Sequence, residues 1–245
     1  MSFGNQSISV FVHDYETTGV DAAACGVLQA ALCVATLHQD GTYEILDKDV
    51  VMLNPGIPIH PEATAIHGYT DLDVADKPCW KQYLGEQMST VNEHNLQAVV
   101  GYNNASFDDR IAIRVGFKPL PCIDLIKACR ALKKLHNWPG AKLTQSYEAL
   151  LGKPLLKAHD AFEDVKATLD LIAPAIKLAG VTNLDGLIAW YTKDEGTPNM
   201  VINFGKHKGS KLKNLDKDYV KWLLSPKCEM TMSVELIAGL RACLA

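Results

Sequence analysis

The sequence lacks the features that mark membrane proteins and disulfide-rich secreted proteins. It contains no apolar run of about 18–20 residues, the length that a helix needs to cross a bilayer. No N-terminal stretch joins a basic segment to an apolar one, as a signal peptide does. Its seven cysteines are an odd number and form no Cys-x-x-Cys pair, which argues against a disulfide framework or a zinc knuckle. We therefore expect a cytoplasmic protein with no membrane partner.

The sequence also lacks an overall positive charge, because 24 lysines and arginines are opposed by 28 aspartates and glutamates, giving a net charge of −4. The distribution of charge is uneven, however. Seven lysines and two aspartates lie between Val201 and Lys227 and give this segment +5; residues 228–245 contribute −1, which leaves −8 on residues 1–200. A short basic segment attached to an acidic body is a stronger indication of function than the average charge.

Apolar, β-branched runs come first in the chain, and helical patterns then alternate with single short strands. This order predicts an α/β domain with a mixed central sheet. The clearest helical pattern covers residues 161–178, where apolar residues recur every three or four positions. The predicted strands cover residues 8–13, 27–36, 43–53, 98–101 and 120–123, and further helices are predicted at about 107–115 and in a stretch ending at 135.

The domain organisation is predicted from a polar segment without periodicity. Residues 191–200 contain glycine and proline and show neither a helical nor a strand pattern, which is typical of a linker. We therefore predict a main domain at 1–190 and a small basic C-terminal module at 201–245.

Two acidic residues stand at the end of the first predicted strand. Residues i and i+2 of a strand project from the same face and are about 6–7 Å apart, so Asp14 and Glu16 direct two carboxylates at one place. These carboxylates would repel each other without a cation. Two divalent ions about 3.5–4 Å apart between carboxylates are what an in-line phosphoryl displacement uses. The alternative is a pair of solvated acids, since Asp-x-Glu is a common pattern.

A second motif runs from Asn104 to Asp108, with the sequence Asn-Ala-Ser-Phe-Asp. Ser106 and Asp109 have the spacing of a capping box, which would place Asp108 in the first turn of a helix. The alternative is that the motif does no more than cap this helix.

A third motif, His159-Asp-Ala-Phe-Glu-Asp164, opens the long predicted helix. Asp160 and Glu163 have the spacing of a helix cap followed by an acid at the third position. His159 and Asp164 then occupy the two positions that normally meet in a hydrophobic staple. A histidine beside a metal-bound carboxylate can act as a general base at neutral pH. The alternative is a surface histidine next to an acidic helix start.

The three motifs, in this order, resemble those of the DEDDh exonucleases, which are ribonuclease H-like 3′→5′ exonucleases that include polymerase proofreading subunits. The resemblance covers roughly residues 8–180 and implies a ribonuclease H-like mixed sheet flanked by helices, so that residues 1–190 would be the exonuclease domain. It also implies that His159 is the general base that deprotonates the attacking water. The four carboxylates implied to bind two Mg²⁺ or Mn²⁺ ions are Asp14, Glu16, Asp108 and Asp164.

Further residues are implied to contact the substrate. The segment Ile59–Asp71 is similar to a family segment whose histidine contacts the terminal nucleotide, and this histidine corresponds to His67. On the same resemblance, Phe107 is a substrate contact and Thr17 lies near the 3′ end of the bound strand. From the residues alone, His67 could equally be a helix-end histidine satisfied by the backbone, and Phe107 a core residue.

The basic C-terminal module interleaves lysines with aromatic residues. This pattern suits nucleic-acid binding, in which lysines meet phosphates and aromatic rings stack on bases, and Lys206 and Lys208 are the candidate contacts. The alternative is a small helical unit in which Tyr219, Trp222 and Leu223 form a core, and we favour this interpretation for the aromatic residues.

The resemblance implies a metal-dependent 3′→5′ exodeoxyribonuclease that releases 5′-mononucleotides in DNA repair or degradation, with DNA as its partner. One alternative is an exonuclease that trims RNA on the same scaffold, because none of these residues clearly recognises a 2′-hydroxyl. Another is a proofreading or binding subunit whose partner is a DNA polymerase. A homodimer is a further alternative for the assembly.

Overall fold

The structure is a computed structural model that describes residues 2–225, 228, 232 and 234–244. Lys227, the last lysine of the basic segment, lies outside the described residues. The chain divides into two compact units, residues 1–188 and 189–245. The division into a domain at 1–190, a linker at 191–200 and a module at 201–245 stays a prediction. Across the described ranges, no helix is long and apolar enough to cross a membrane.

The first unit is built on a five-stranded mixed sheet in the order β3-β2-β1-β4-β5. The first three strands along the chain pair antiparallel, and the last two extend the sheet beside β1 in parallel. The predicted α/β architecture with a mixed central sheet is therefore confirmed, and β1 lies in the middle of it. The strands are β1 (Ile8–Thr17), β2 (Val27–Leu37), β3 (Tyr43–Met52), β4 (Ala98–Gly101) and β5 (Cys122–Asp124).

Helices pack on this sheet and bury its apolar side chains. Phe11 of β1 lies in one core cluster with Leu84, Met88 and Ile111 from two of the helices, and all four side chains are fully buried. The helices described in or at the end of this unit are α1 (Pro61–His67), α2 (Asp71–Val74), α3 (Trp80–Val91), α4 (Asp108–Arg114), α5 (Leu125–His136), α6 (Leu143–Leu151), α7 (Ala161–Asp170), α8 (Ile172–Leu178) and α9 (Leu184–Thr192).

The single helix predicted over residues 161–178 is wrong, because the chain forms α7 and α8 with a break at Leu171. Pro174 explains the break: it has no backbone N–H, and its ring would clash with the carbonyl oxygen of Asp170, four residues earlier. Most of the predicted apolar stripe nevertheless faces the core, since Val165, Leu169, Ile172 and Ile176 are buried.

The second unit has a small core of its own, which includes residues of α10 (Lys217–Leu223) and α11 (Val234–Ala242). The prediction that Trp222 belongs to this core is wrong: its side chain is 44% exposed, whereas Leu223 is 1% exposed. Val220 and Leu223 are three residues apart and share the face that packs on the core, whereas Trp222 lies on the adjoining face. The buried residues of this core are Ile202, Leu212, Leu215, Val220, Leu223, Leu236 and Leu240.

Candidate active site

The side chains of β1 alternate between the two faces of the sheet, and at the C-terminal end of the strand one of these faces carries two acidic residues. Phe11 and Tyr15 point into the core cluster beneath the sheet. Because successive side chains of a strand point to opposite faces, Asp14 and Glu16 project together from the other side, towards the start of α7. Glu16 is only 8% exposed. The two carboxylates are therefore held at the edge of the core rather than in solvent.

Asp108 is brought to the same place by the beginning of α4. The backbone N–H of Tyr15, which lies between the two acidic residues of β1, donates a hydrogen bond to Oδ1 of Asp108 at 3.2 Å. Asn104 ties the two segments together, since its Nδ2 donates to the carbonyl oxygen of His13 at 2.8 Å. Sequence reasoning gave Asn104 no role of its own. Its side chain anchors the loop that carries Asp108.

The capping box predicted for Ser106 and Asp109 is wrong, although Asp108 does begin the helix as expected. Asn103 adopts a left-handed conformation with φ = 71°, and a short 3₁₀ turn then places Phe107 at the cap position. Ser106 donates instead to the carbonyl oxygen of Asn103 at 3.2 Å. Asp109 is also used elsewhere, because it accepts a hydrogen bond from Nε2 of the buried His13 at 3.0 Å.

The start of α7 adds His159 and Asp164. Asp160 caps the helix by accepting a hydrogen bond from the N–H of Glu163 at 3.1 Å, as predicted. The backbone N–H of His159 donates to Oδ2 of Asp164 at 3.2 Å. Ligand atoms of Glu16, His159 and Asp164 lie within 4.8 Å of one another. The third motif therefore lies next to Glu16 at the end of β1.

The start of α7 is held in place by a residue that the sequence analysis did not single out. Gln29 of β2 is buried, and its Oε1 accepts a hydrogen bond from the N–H of Ala161 at 3.1 Å. Its Nε2 donates to Asp160 at 3.4 Å. Gln29 lies more than 130 residues earlier in the chain, so only the folded structure reveals this contact.

The acidic residues of the site strongly perturb one another. Burial, and then the charges of Asp108 and Asp164, hold the pKa of Asp14 well above its usual range. Burial and the same two neighbours raise the pKa of Glu16 to about 8. Burial raises the pKa of Asp108 to about 7 against the opposing effect of His13. The pKa of Asp164 rises to about 6, again mainly through burial. Without a cation, this cluster resists full ionisation at neutral pH.

The cluster fits a divalent cation. Oxygen ligands from carboxylates are those that Mg²⁺ and Mn²⁺ prefer. Oδ1 of Asp164 is buried and has no hydrogen-bond partner within the described part of the chain. A cation would satisfy this oxygen and offset the repulsion that raises the carboxylate pKa values.

A groove of 920 Å³ opens beside Glu16. Three predicted substrate contacts, Thr17, His67 and Phe107, line this groove. The groove wall also includes apolar residues that the sequence did not single out, among them Val20 and Ile66, both of which are exposed. No sequence signal marked these apolar residues, because each is isolated in a loop or on a short helix.

His67 and Phe107 each make structural contacts and also line the groove, and their role in substrate binding stays a prediction. His67 ends α1, and its Nδ1 accepts a hydrogen bond from the N–H of Tyr69 at 3.1 Å, while burial lowers its pKa. Its ring nevertheless faces the groove. Phe107 packs against the core cluster and also lines the groove. The remaining candidate contacts, Lys206 and Lys208, belong to the second compact unit and are exposed.

Comparison with known proteins shows similarity to a family of exonucleases. The model of the RNase_T exonuclease family matches residues 11–172. Exodeoxyribonuclease 10 of Escherichia coli K12 is 26% identical over 235 residues, covering 87% of this chain and 95% of the relative. Exodeoxyribonuclease I of the same strain is 24% identical over 195 residues, covering 69% of this chain and 40% of the relative. The near-full-length match agrees with a similarity of the C-terminal motifs, Phe-Gly-Lys-x-Lys-Gly followed by Tyr-x-x-Trp-Leu, to those of exodeoxyribonuclease X.

The fold also agrees with a solved structure. The crystal structure of E. coli exonuclease I in complex with a dT13 oligonucleotide aligns with a TM-score of 0.56 at 24% identity. The alignment covers 69% of this chain and 41% of that one, so this chain spans about two fifths of the length of exonuclease I. At this level of identity the likeness concerns the fold, and the predicted ribonuclease H-like architecture is confirmed.

Proposed function

Because the chain belongs to the RNase_T exonuclease family, we propose that it is a divalent-metal-dependent 3′→5′ exodeoxyribonuclease that releases 5′-mononucleotides. The observation that carries this proposal is the convergence of Asp14, Glu16, Asp108 and Asp164 in one largely buried cluster with raised pKa values. The choice of DNA is supported by the names of the similar proteins, which are exodeoxyribonucleases, and by the oligonucleotide bound to exonuclease I.

The four carboxylates would hold two Mg²⁺ or Mn²⁺ ions. When bound, such ions offset the repulsion between the acidic cluster and the substrate phosphate and stabilise the charge that develops in the displacement. The unpartnered oxygen of Asp164 and the mutual repulsion of the carboxylates support this assignment.

His159 would act as the general base that accepts a proton from the attacking water. Its side chain lies next to Glu16 and Asp164, and its backbone N–H is fixed to the carboxylate of Asp164. The residue lies just before α7 and has a φ of 68°, a left-handed conformation that is uncommon for residues other than glycine. It is exposed to solvent, so the proton it accepts can be released.

Thr17, His67 and Phe107 would position the 3′-terminal nucleotide in the groove. The Nδ1 atom of His67 accepts a hydrogen bond from the backbone, so in the neutral ring the proton is on Nε2. The ring can then donate a hydrogen bond to an oxygen of the substrate. The lowered pKa of His67 favours this neutral form at pH 7.

In the same proposal, residues 201–245 form a basic module that binds the substrate through Lys206 and Lys208, and residues 191–200 link it to the exonuclease domain. The protein would act in the cytoplasm in DNA repair or degradation. The excess of lysine in this part of the chain supports the assignment of a phosphate-binding role.

The test is a time course with 3′-blocked, 5′-blocked and unblocked oligonucleotides, single- and double-stranded, made of DNA and of RNA. We expect mononucleotides from unblocked and 5′-blocked DNA, no products after chelation, and recovery of activity with Mg²⁺ or Mn²⁺. Faster degradation of RNA would instead support the RNA-trimming alternative. An inactive chain that co-purifies with a polymerase would support the proofreading-subunit alternative.

A further inference from the structure

Two aromatic rings stack on the surface of the second compact unit. Tyr219 and Trp222 are three residues apart on α10 and therefore share a face. Their ring centroids are 5.7 Å apart and their planes differ by 21°. Tyr219 is half-buried against the core, whereas the indole of Trp222 is 44% exposed. The stack therefore has a buried end and an open end.

A turn bounded by two glycines holds Lys206 against the Tyr219 ring of the same stack. Gly205 and Gly209 have φ values of 64° and 90°, and the N–H of Lys208 donates to the carbonyl oxygen of Gly205 at 3.2 Å. A Cβ on Gly205 would lie 3.1 Å from the hydroxyl oxygen of Tyr219, so glycine permits this close approach. Within the turn, Nζ of Lys206 lies 5.3 Å from the centre of the Tyr219 ring.

The charge of the segment that carries the stack complements a polyanion. The segment Val201–Ser225 contains six lysines and two aspartates, and all six lysines are exposed. Among the described residues, five of these lysines form no ion pair with a carboxylate, and Lys221 pairs only with the exposed Asp218 at 3.2 Å. The five lysines without such a pair are Lys206, Lys208, Lys211, Lys213 and Lys217.

We propose that Trp222, supported by Tyr219, is a stacking site for an unpaired base of single-stranded DNA, and that Lys206 and the other exposed lysines of this unit hold the adjoining phosphates. Every base has an aromatic face, so stacking on an indole binds a strand without selecting its sequence. In a duplex, by contrast, the bases already stack on each other. The choice of DNA rests on the function proposed above, whereas the stacking site rests on the geometry of this unit.

The test measures binding separately from hydrolysis. The full chain is titrated in EDTA against two fluorescent 20-mers, one of oligo(dT) and one in which every position is an abasic sugar, and the anisotropy is recorded. Loss of the stacking of one base is expected to raise Kd by at least about fivefold. We expect Trp222→Ala to weaken binding of oligo(dT) by at least about fivefold and to leave binding of the abasic strand unchanged. Trp222→Phe should restore most of the affinity.

Two control variants separate stacking from charge and from a general surface effect. The double substitution Lys206→Gln/Lys208→Gln should weaken binding of both strands, because phosphates are present in each. Leu72→Ala removes an apolar side chain that is 88% exposed in the first unit and should change neither affinity. Quenching of tryptophan fluorescence by oligo(dT) should be larger in the wild type than in Trp222→Phe, a comparison that keeps an aromatic ring at this position.

Unchanged affinity of Trp222→Ala for oligo(dT), or equal losses on both strands, would overturn the stacking site. Tighter binding of oligo(rU) than of oligo(dT) would overturn the assignment to DNA. Hydrolysis of a trinucleotide in Mg²⁺ reports the proposed exonuclease activity independently. Its absence, with base-dependent binding intact, would reject that activity and leave the stacking site standing.

Discussion

In the first compact unit, four carboxylates are gathered and largely buried at the end of β1, whereas the second unit carries an aromatic stack and six exposed lysines in one segment of the chain. Burial, and for Asp14 and Glu16 also the neighbouring like charges, raise the pKa values of these carboxylates, so the ionised apo site is destabilised until a cation enters it. Exposed lysines are solvated and screened and perturb the folded state little. A concentration of like charges therefore favours the binding of a cation in the first unit. In the second unit it attracts a polyanion.

Among the changes that test this contrast, we expect the removal of one carboxylate to have the largest effect. We expect alanine at Asp14, Glu16, Asp108 or Asp164 to abolish the release of mononucleotides from oligo(dT) in Mg²⁺, because the cation then loses a ligand. Circular dichroism should show an intact fold. As a matched control, Glu163→Gln alters a carboxylate on the same helix that pairs with Lys166 instead, and it should retain activity. Wild-type turnover by Asp108→Ala would place the active site elsewhere.

The next effect concerns His159. General-base catalysis is typically worth about 10²–10⁴-fold, so His159→Ala should lower kcat by about that factor with a smaller change in KM. A raised KM with unchanged kcat would make His159 a binding residue instead.

The buried carboxylates also predict how the stability of the apo protein depends on pH. Their pKa values are raised in the folded state, to about 8 for Glu16 and about 7 for Asp108, so folding favours their protonated forms. Their favourable contribution is present below about pH 4 and is lost as the pH rises towards 8. We therefore expect the Tm measured in EDTA to fall between pH 5 and pH 8. One pKa unit corresponds to about 1.4 kcal/mol, so the trend is measurable.

Two further scans sharpen the same prediction. Glu16→Gln cannot ionise and should raise the apo Tm at pH 8 while reducing its slope with pH. Added Mg²⁺ should raise the Tm of the wild type more at pH 8 than at pH 5, because protonated carboxylates bind cations poorly. A flat Tm from pH 5 to pH 8 in EDTA would show that the carboxylates do not repel one another as the structure indicates.

Local geometry predicted the relative placement of residues within each acidic motif, whereas the grouping of the three motifs into one site came from their resemblance to the DEDDh exonucleases. Strand alternation puts Asp14 and Glu16 on one face, and the helix cap at Asp160 fixes Asp164 relative to His159. The bond between the N–H of Tyr15 and Asp108, by contrast, joins positions 93 residues apart and is visible only in the fold. The roles of these residues in catalysis stay predictions.

Three errors in the sequence-based predictions have separate physical causes. The break between α7 and α8 was readable, because Pro174 cannot sit inside a helix without distorting it. The misplaced cap at Ser106 depended on the left-handed Asn103, which the spacing alone does not reveal. In α10, Tyr219, Val220, Trp222 and Leu223 are all apolar or aromatic, so periodicity does not decide which side chain faces outward. Packing against the core decides it, and leaves Trp222 exposed.

The smallest effect is expected from the lysines of the second unit, and only on long substrates. Each phosphate contact with a single strand contributes roughly 0.7 to the slope of log affinity against log salt concentration. Changing Lys206, Lys208, Lys211 and Lys213 to glutamine should therefore flatten the salt dependence of KM on long oligo(dT) by up to about 3 in this slope. Hydrolysis of a trinucleotide should be unchanged, because the carboxylate cluster is built entirely from earlier residues. Deleting everything after Asn199 should reproduce both results and reduce processivity. Equal salt slopes for the truncated and full-length proteins would show that this unit does not hold the strand, and would favour a role in binding a polymerase.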